Sequence, residues 1–66
     1  MFNKQKFKAA VALAGKNMKE VASLIGVDVA TLYRKMNGES DFFRSEIDIL
    51  RRELDICDVD SIFFDR

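Results

Sequence analysis

Met18-Lys19-Glu20-Val21-Ala22-Ser23-Leu24-Ile25-Gly26-Val27-Asp28-Val29-Ala30-Thr31-Leu32-Tyr33-Arg34-Lys35-Met36-Asn37-Gly38 is the stretch whose reading decides the fold. Asn17 precedes it, and Glu20 follows three residues later, the spacing of a capping box that opens a helix. Val21, Ala22 and Ile25 share a helical face, which predicts a helix over 18–25. Gly26 ends that helix, because it accepts a positive φ without a Cβ penalty. Asp28 caps a second helix over 29–36, with Leu32 and Met36 inward, and Gly38 ends it. Ala22 is small where two short helices must cross closely. Val27 plugs the space under the turn, and Leu32 holds the second helix to the core. Ala22 and Gly26 alone would suit any helical hairpin. Together with the caps, Val27, Leu32 and Asn37-Gly38, they have the spacing of a helix-turn-helix at about 18–36.

Working outward, Phe7, Ala10, Val11 and Ala14 make an amphipathic stripe, so a first helix is expected over 3–14, with Asn3 at its start and Gly15 at its stop. Residues 39–42 form a polar turn. Ile47, Leu50 and Leu54 place a fourth helix over 44–54. A last short turn is expected over 59–64, after Asp58 and ending in Ile62-Phe63-Phe64. The expectation is one all-α domain over 1–66, a compact bundle of four to five helices.

The composition agrees. The chain has no proline and only three glycines, and 48% of its residues are hydrophobic, enough for a globular chain. At 66 residues the core is marginal, so packing is economical or a second subunit helps. Cys57 is the single cysteine and there is no histidine. No zinc site, metal or cofactor is therefore expected, and histidine-based acid–base chemistry is excluded. No signal peptide or long apolar run is present, so the chain is expected in the cytoplasm, with no membrane contact. No glycine-rich phosphate loop and no nucleophile–base set is found, and the carboxylates fall at solvent-facing helical positions. An enzyme with a small-molecule substrate is not expected.

The formal net charge is zero, but it is unevenly spread. Residues 1–38 carry seven lysines and arginines against Glu20 and Asp28, a net +5. Residues 39–66 carry four arginines against nine acids, a net −5. Such asymmetry suits a molecule with one side turned toward a polyanion.

Residues 7–54 resemble the Cro and lambda-repressor-like family of phage and bacterial transcription regulators. The Thr31-Leu32-Tyr33-Arg34-Lys35-Met36-Asn37-Gly38 ending is similar to its phage members. Phe42 through Ile47 to Leu54 is similar to the family's fourth helix, and Ile62-Phe63-Phe64 to the final turn of its small phage versions. The resemblance implies a sequence-specific DNA-binding regulator, a Cro-like repressor of phage or prophage operators acting in the bacterial host cytoplasm. Its second motif helix would enter the major groove of double-stranded operator DNA. The base-facing positions then fall on Asp28, Val29, Ala30, Tyr33 and Arg34. Arg34 suits guanine O6 and N7, and Val29 and Ala30 suit a thymine methyl. Phosphate contacts fall on Asn17 and Asn37, with Lys16, Lys19, Lys35 and Arg44 nearby. Each has a plainer alternative: Asn17 as a cap only, Asn37 as a turn former, the lysines and the Tyr33–Arg34 face as solvated surface. Two departures weaken non-specific binding. Met18 stands where the family often has glutamine, and Glu39 and Asp41 stand where the turn is often basic.

Regulators of this type usually dimerise, spacing their reading helices about 34 Å apart. Phe42, Phe43, Ile56, Ile62, Phe63 and Phe64 exceed what four short helices need inside. Ile56, Ile62, Phe63 and Phe64 are the expected homodimer interface, unless they fill the core. The competing function is a protein-interaction module on the same scaffold, such as an antitoxin or a modulator that binds another regulator protein. The acidic, phenylalanine-rich second half and the apolar Val29 and Ala30 motivate it.

Overall fold

Side-chain caps decide where each helix begins. The computed structural model describes residues 2–64. They form α1 (Lys4–Leu13), α2 (Met18–Leu24), α3 (Val29–Met36), α4 (Arg44–Glu53) and α5 (Val59–Phe63), with no strand among the described residues. The all-α expectation holds, and each helix lies within one residue of its expected bounds, because the extra residues are caps rather than helix interior. Asn3 Oδ1 accepts from the Lys6 amide, Asp28 Oδ1 from Thr31 and Asp58 Oδ1 from Ser61. At α2 the capping box is complete: Asn17 Oδ1 accepts from the Glu20 amide at 2.8 Å, and the Asn17 amide donates to Glu20 Oε1 at 3.0 Å. At α4 the cap residue is Phe43, which has no polar side chain. Its amide donates back to Glu46 Oε1 at 2.9 Å, half of the same device.

Four helices end alike. Val27 N–H donates to the Ala22 carbonyl and Gly26 N–H to that of Ser23, closing α2 in a Schellman motif. The same pair of bonds ends α1, α3 and α4. The residue that turns the chain has positive φ each time: Gly15, Gly26, Gly38 and, at α4, Asp55 at 52°. Gly26, at 73°, is the one that sets how α3 leaves α2.

Between these ends the apolar faces meet in one core, with Phe7, Val21, Leu32 and Leu50 fully enclosed. α2 and α3 pack against each other more extensively than any other pair of helices, and α5 lies across α1 and α4. Four phenylalanines from separate parts of the chain gather at one end. Phe2 stacks on Phe42 at 5.0 Å between centroids, and Phe63 meets Phe42 edge-on at 5.2 Å and Phe7 at 6.2 Å. The Asn3 amide donates to the Ile62 carbonyl at 2.6 Å, tying the start of α1 to α5.

This arrangement corrects the expected interface. Ile56, Ile62 and Phe63 are buried core residues, and only Phe64 of that set is exposed. The reason is surface-to-volume scaling: a domain this small has almost no interior beyond its helix contacts, so α5 spends its apolar face on α1 and α4. Phe42 is likewise half-buried in the aromatic cluster, while Phe43 stays exposed. The carboxylates are not all solvent-facing either, since Glu46 is buried.

Candidate nucleic-acid interface

α3 has two sharply different faces. Leu32, Lys35 and Met36 point inward, following the three- and four-residue steps of a helix. Val29, Ala30, Tyr33 and Arg34 lie on the other face, with Val29 40% and Tyr33 42% exposed. An exposed valine and tyrosine one turn apart, beside a guanidinium, form a surface that is half apolar and half cationic. Its contact chemistry matches base edges: methyl packing from Val29 and Ala30, and a two-donor fork from Arg34.

Asp28 sits at the head of this face and is exposed. Its Oδ1 accepts from the Thr31 amide at 2.7 Å. That bond foremost, and the Thr31 hydroxyl next, hold the carboxyl below the usual carboxylate range. Slight dehydration opposes the shift, and the Arg34 charge adds to it. Asp28 therefore remains an anion that orients the first turn of α3, and one of its oxygens is committed to that task.

The expected backbone-contacting residues divide. Asn17, Lys19 and Arg44 are exposed, and Lys16 is half-buried. Asn17 and Arg44 stand at the starts of α2 and α4, and Lys19 one residue inside α2. Asn37, the exposed C-cap of α3, accepts a hydrogen bond at 2.5 Å from Lys4 Nζ, which reaches it from the start of α1. A lysine ammonium and an amide are thus held together at the trailing end of α3.

Lys35 departs from its expected role. It is 4% exposed, and its ammonium points into the molecule. Nζ lies 3.1 Å from Glu46 Oε1 and donates to the Asp41 carbonyl at 2.9 Å. The Phe43 ring covers it, 4.4 Å from ring centroid to Nζ. The helical step from Leu32 to position 35 puts this side chain on the inner face, so it braces the end of α3 against α4 instead of meeting phosphate. Lys4 and Glu46 were absent from the expected site. The inward step at 35 is a sequence signal for the buried pair; nothing local signals the reach of Lys4 across 33 residues.

Comparison with protein-family models, with curated proteins and with solved structures finds no match. The functional reading therefore rests on the chain's own residues. Among the described residues no cluster of histidine, cysteine or carboxylate side chains is arranged to hold a metal ion. No helix is long and apolar enough to cross a membrane.

Proposed function

We propose that this chain is a sequence-specific DNA-binding transcription regulator, with α2, the Gly26 turn and α3 acting as a helix-turn-helix. The observation that carries the reading is the outward face of α3: Val29, Ala30, Tyr33 and Arg34 stand exposed on a helix whose opposite face is enclosed. In the proposed complex α3 lies in the major groove. Arg34 donates two hydrogen bonds to one guanine, at O6 and N7, and Val29 and Ala30 pack on thymine methyls. Tyr33 contributes its ring or its hydroxyl. Asn17, Lys19 and Lys16 take phosphate on one side, and Asn37 and Arg44 on the other. Asp28, an anion at the leading end, repels phosphate and favours cytosine N4 donors, which limits non-specific binding.

On this reading the protein is a Cro-like repressor of phage or prophage operators that acts in a bacterial cytoplasm by obstructing polymerase. The test is selection from a random duplex pool, followed by footprinting and gel shifts at two salt concentrations. Enrichment of a short motif with a salt slope of about 0.9 per phosphate contact is expected. No enrichment and no protection at micromolar protein would overturn it.

One observation favours a second reading. Phe43 is 65% exposed at the α3–α4 junction. An aromatic side chain left open there suits a protein partner, such as a toxin or another regulator. Co-purification of a stoichiometric partner, with no motif enriched from the duplex pool, is its signature.

A further inference from the structure

The trailing end of α3 carries a reactive pair. Asn37 is the one asparagine of the chain followed by glycine; Asn3 precedes Lys4 and Asn17 precedes Met18. An asparagine carboxamide carbon can be attacked by the backbone nitrogen of the next residue, and glycine, with no side chain, leaves that nitrogen open. Asn37 and Gly38 are both exposed, so water and hydroxide reach them. The fold nevertheless holds the reacting atoms apart. Asn37 has ψ 0°, which sets the Gly38 nitrogen in line with the nitrogen of Asn37 itself. Ring closure needs it in line with Cβ instead, a rotation by the angle between two substituents of a tetrahedral carbon. The Gly38 amide donates to the Lys35 carbonyl at 3.2 Å and the Glu39 amide to that of Arg34 at 2.9 Å, and both bonds resist this rotation. The Lys4 ammonium, reaching across from α1, holds the Asn37 side chain by Oδ1. Helix ends open locally at small cost, so these contacts act as a gate and not as a permanent lock.

We propose that Asn37 is a deamidation site whose rate is set by this gate, so that the end of α3 ages through its own cap residue. Once the end opens, hydroxide takes the proton of the Gly38 amide, and the Gly38 nitrogen bonds to Asn37 Cγ. The Cγ–Nδ2 bond breaks, and Nδ2 takes a proton from water and leaves as ammonia. Water then opens the resulting succinimide at either carbonyl, giving aspartate or isoaspartate at position 37. Aspartate places a negative charge beside Lys4, where the amide stood before. Isoaspartate reroutes the main chain through the former side chain and lengthens it by a methylene, so the Gly38 and Glu39 amides lose the carbonyls that end α3. Either product puts an anion at a helix C-terminus, where the helix dipole disfavours it. The modification itself is independent of the DNA reading; only its effect on a duplex, where the new anion would face phosphate, rests on that reading.

Peptide mapping by mass spectrometry of the full chain, kept folded or in urea at neutral and at mildly alkaline pH, tests it. Isoaspartyl methyltransferase labelling marks the rearranged product. Conversion is expected at Asn37 ahead of Asn3 and Asn17, and faster at the higher pH. It is expected to be roughly tenfold slower in the folded chain, the factor set by a helix end that costs about 1.4 kcal/mol to open. Lys4→Met, at an exposed position, should convert several-fold faster when folded and at an unchanged rate in urea. Gly38→Ala should convert more slowly in urea, where the positive φ of the folded turn plays no part. Equal rates in the folded and urea-treated chains overturn the proposal. So does a folded Lys4→Met chain that converts no faster than the unaltered one. Conversion first at Asn3 or Asn17, or a folded chain with no detectable conversion at Asn37 once the urea-treated chain has converted fully, overturns it as well. Conversion at Asn37 in a chain that enriches no duplex motif supports the site while the DNA reading fails, so the two outcomes are distinguishable.

Discussion

Lys35 and Glu46 form an ion pair of 3.1 Å with both side chains almost wholly out of water. Glu46 Oε1 also accepts from the Phe43 amide, so one oxygen holds α3 and starts α4. Removing one partner leaves a buried charge without its counter-ion, which costs about 3–5 kcal/mol. Lys35→Met and Glu46→Gln should each lower the urea midpoint strongly, and in a domain this small either approaches the whole folding free energy. Lys35→Met/Glu46→Leu should lose far less than the two single losses combined, because no charge is left stranded. Urea titration of the four proteins checks this; additive losses would mean that the pair is not coupled.

Arg34 is exposed and makes no contribution to the core. Arg34→Ala should leave thermal stability unchanged and remove roughly 1–3 kcal/mol of preference for the selected motif over a mismatched one. Lys19→Ala should behave differently, weakening binding to all duplexes alike and reducing the salt slope by about 1. Gel shifts of both variants on matched and mismatched duplexes separate a base reader from a phosphate contact.

Gly26 holds φ at 73°, and a Cβ added there meets nothing within 4 Å. The cost of Gly26→Ala is therefore conformational alone, about 1–2 kcal/mol. Gly26→Asn should cost less, since asparagine tolerates the left-handed region. The opposite experiment is available at Asp55, where the same turn is made by a residue that carries a Cβ. Asp55→Gly should raise monomer stability by roughly 0.5–1 kcal/mol. Denaturant midpoints of the three variants test the order.

Asp28 titrates below the usual carboxylate range when folded, chiefly because it accepts from Thr31. A depressed folded pKa means that the anion's contribution is present above the unfolded value of about 3.9 and is lost as pH falls through the folded one. Asp28→Asn keeps a capping oxygen without the charge. The melting-temperature gap between the two proteins should be constant from neutral pH to about 5 and close below about 4. A gap that stays constant down to pH 2 would contradict the assignment.

The legible parts of this molecule are those whose determinants lie within one helical turn. Asn17 and Glu20 are three residues apart, so their mutual cap follows from spacing, and so do Gly26 and Asp28 around the turn. The step from Leu32 to Met36 likewise marks the hidden face of α3, and with it the open face that bears Tyr33 and Arg34. What stayed illegible depends on contacts between distant elements. The three-residue step from Leu32 turns Lys35 inward, but its partner Glu46 is met only when α4 is laid against α3. Ile62 and Phe63 look surplus until α5 is laid across α1 and Phe2 joins Phe42 and Phe7. The end of α4 carries no glycine, and Asp55 gives little local sign that it turns the chain.

The Asn3–Ile62 bond joins residues at nearly opposite ends of the chain. Closing it demands that almost everything between has already been drawn together, which places it among the slow, non-local steps of folding. The start of α1 is thus fixed only once α5 is in place. A chain halted before α5 leaves Phe7 without Phe63, and such a fragment is a ready substrate for the proteases that clear unfinished proteins.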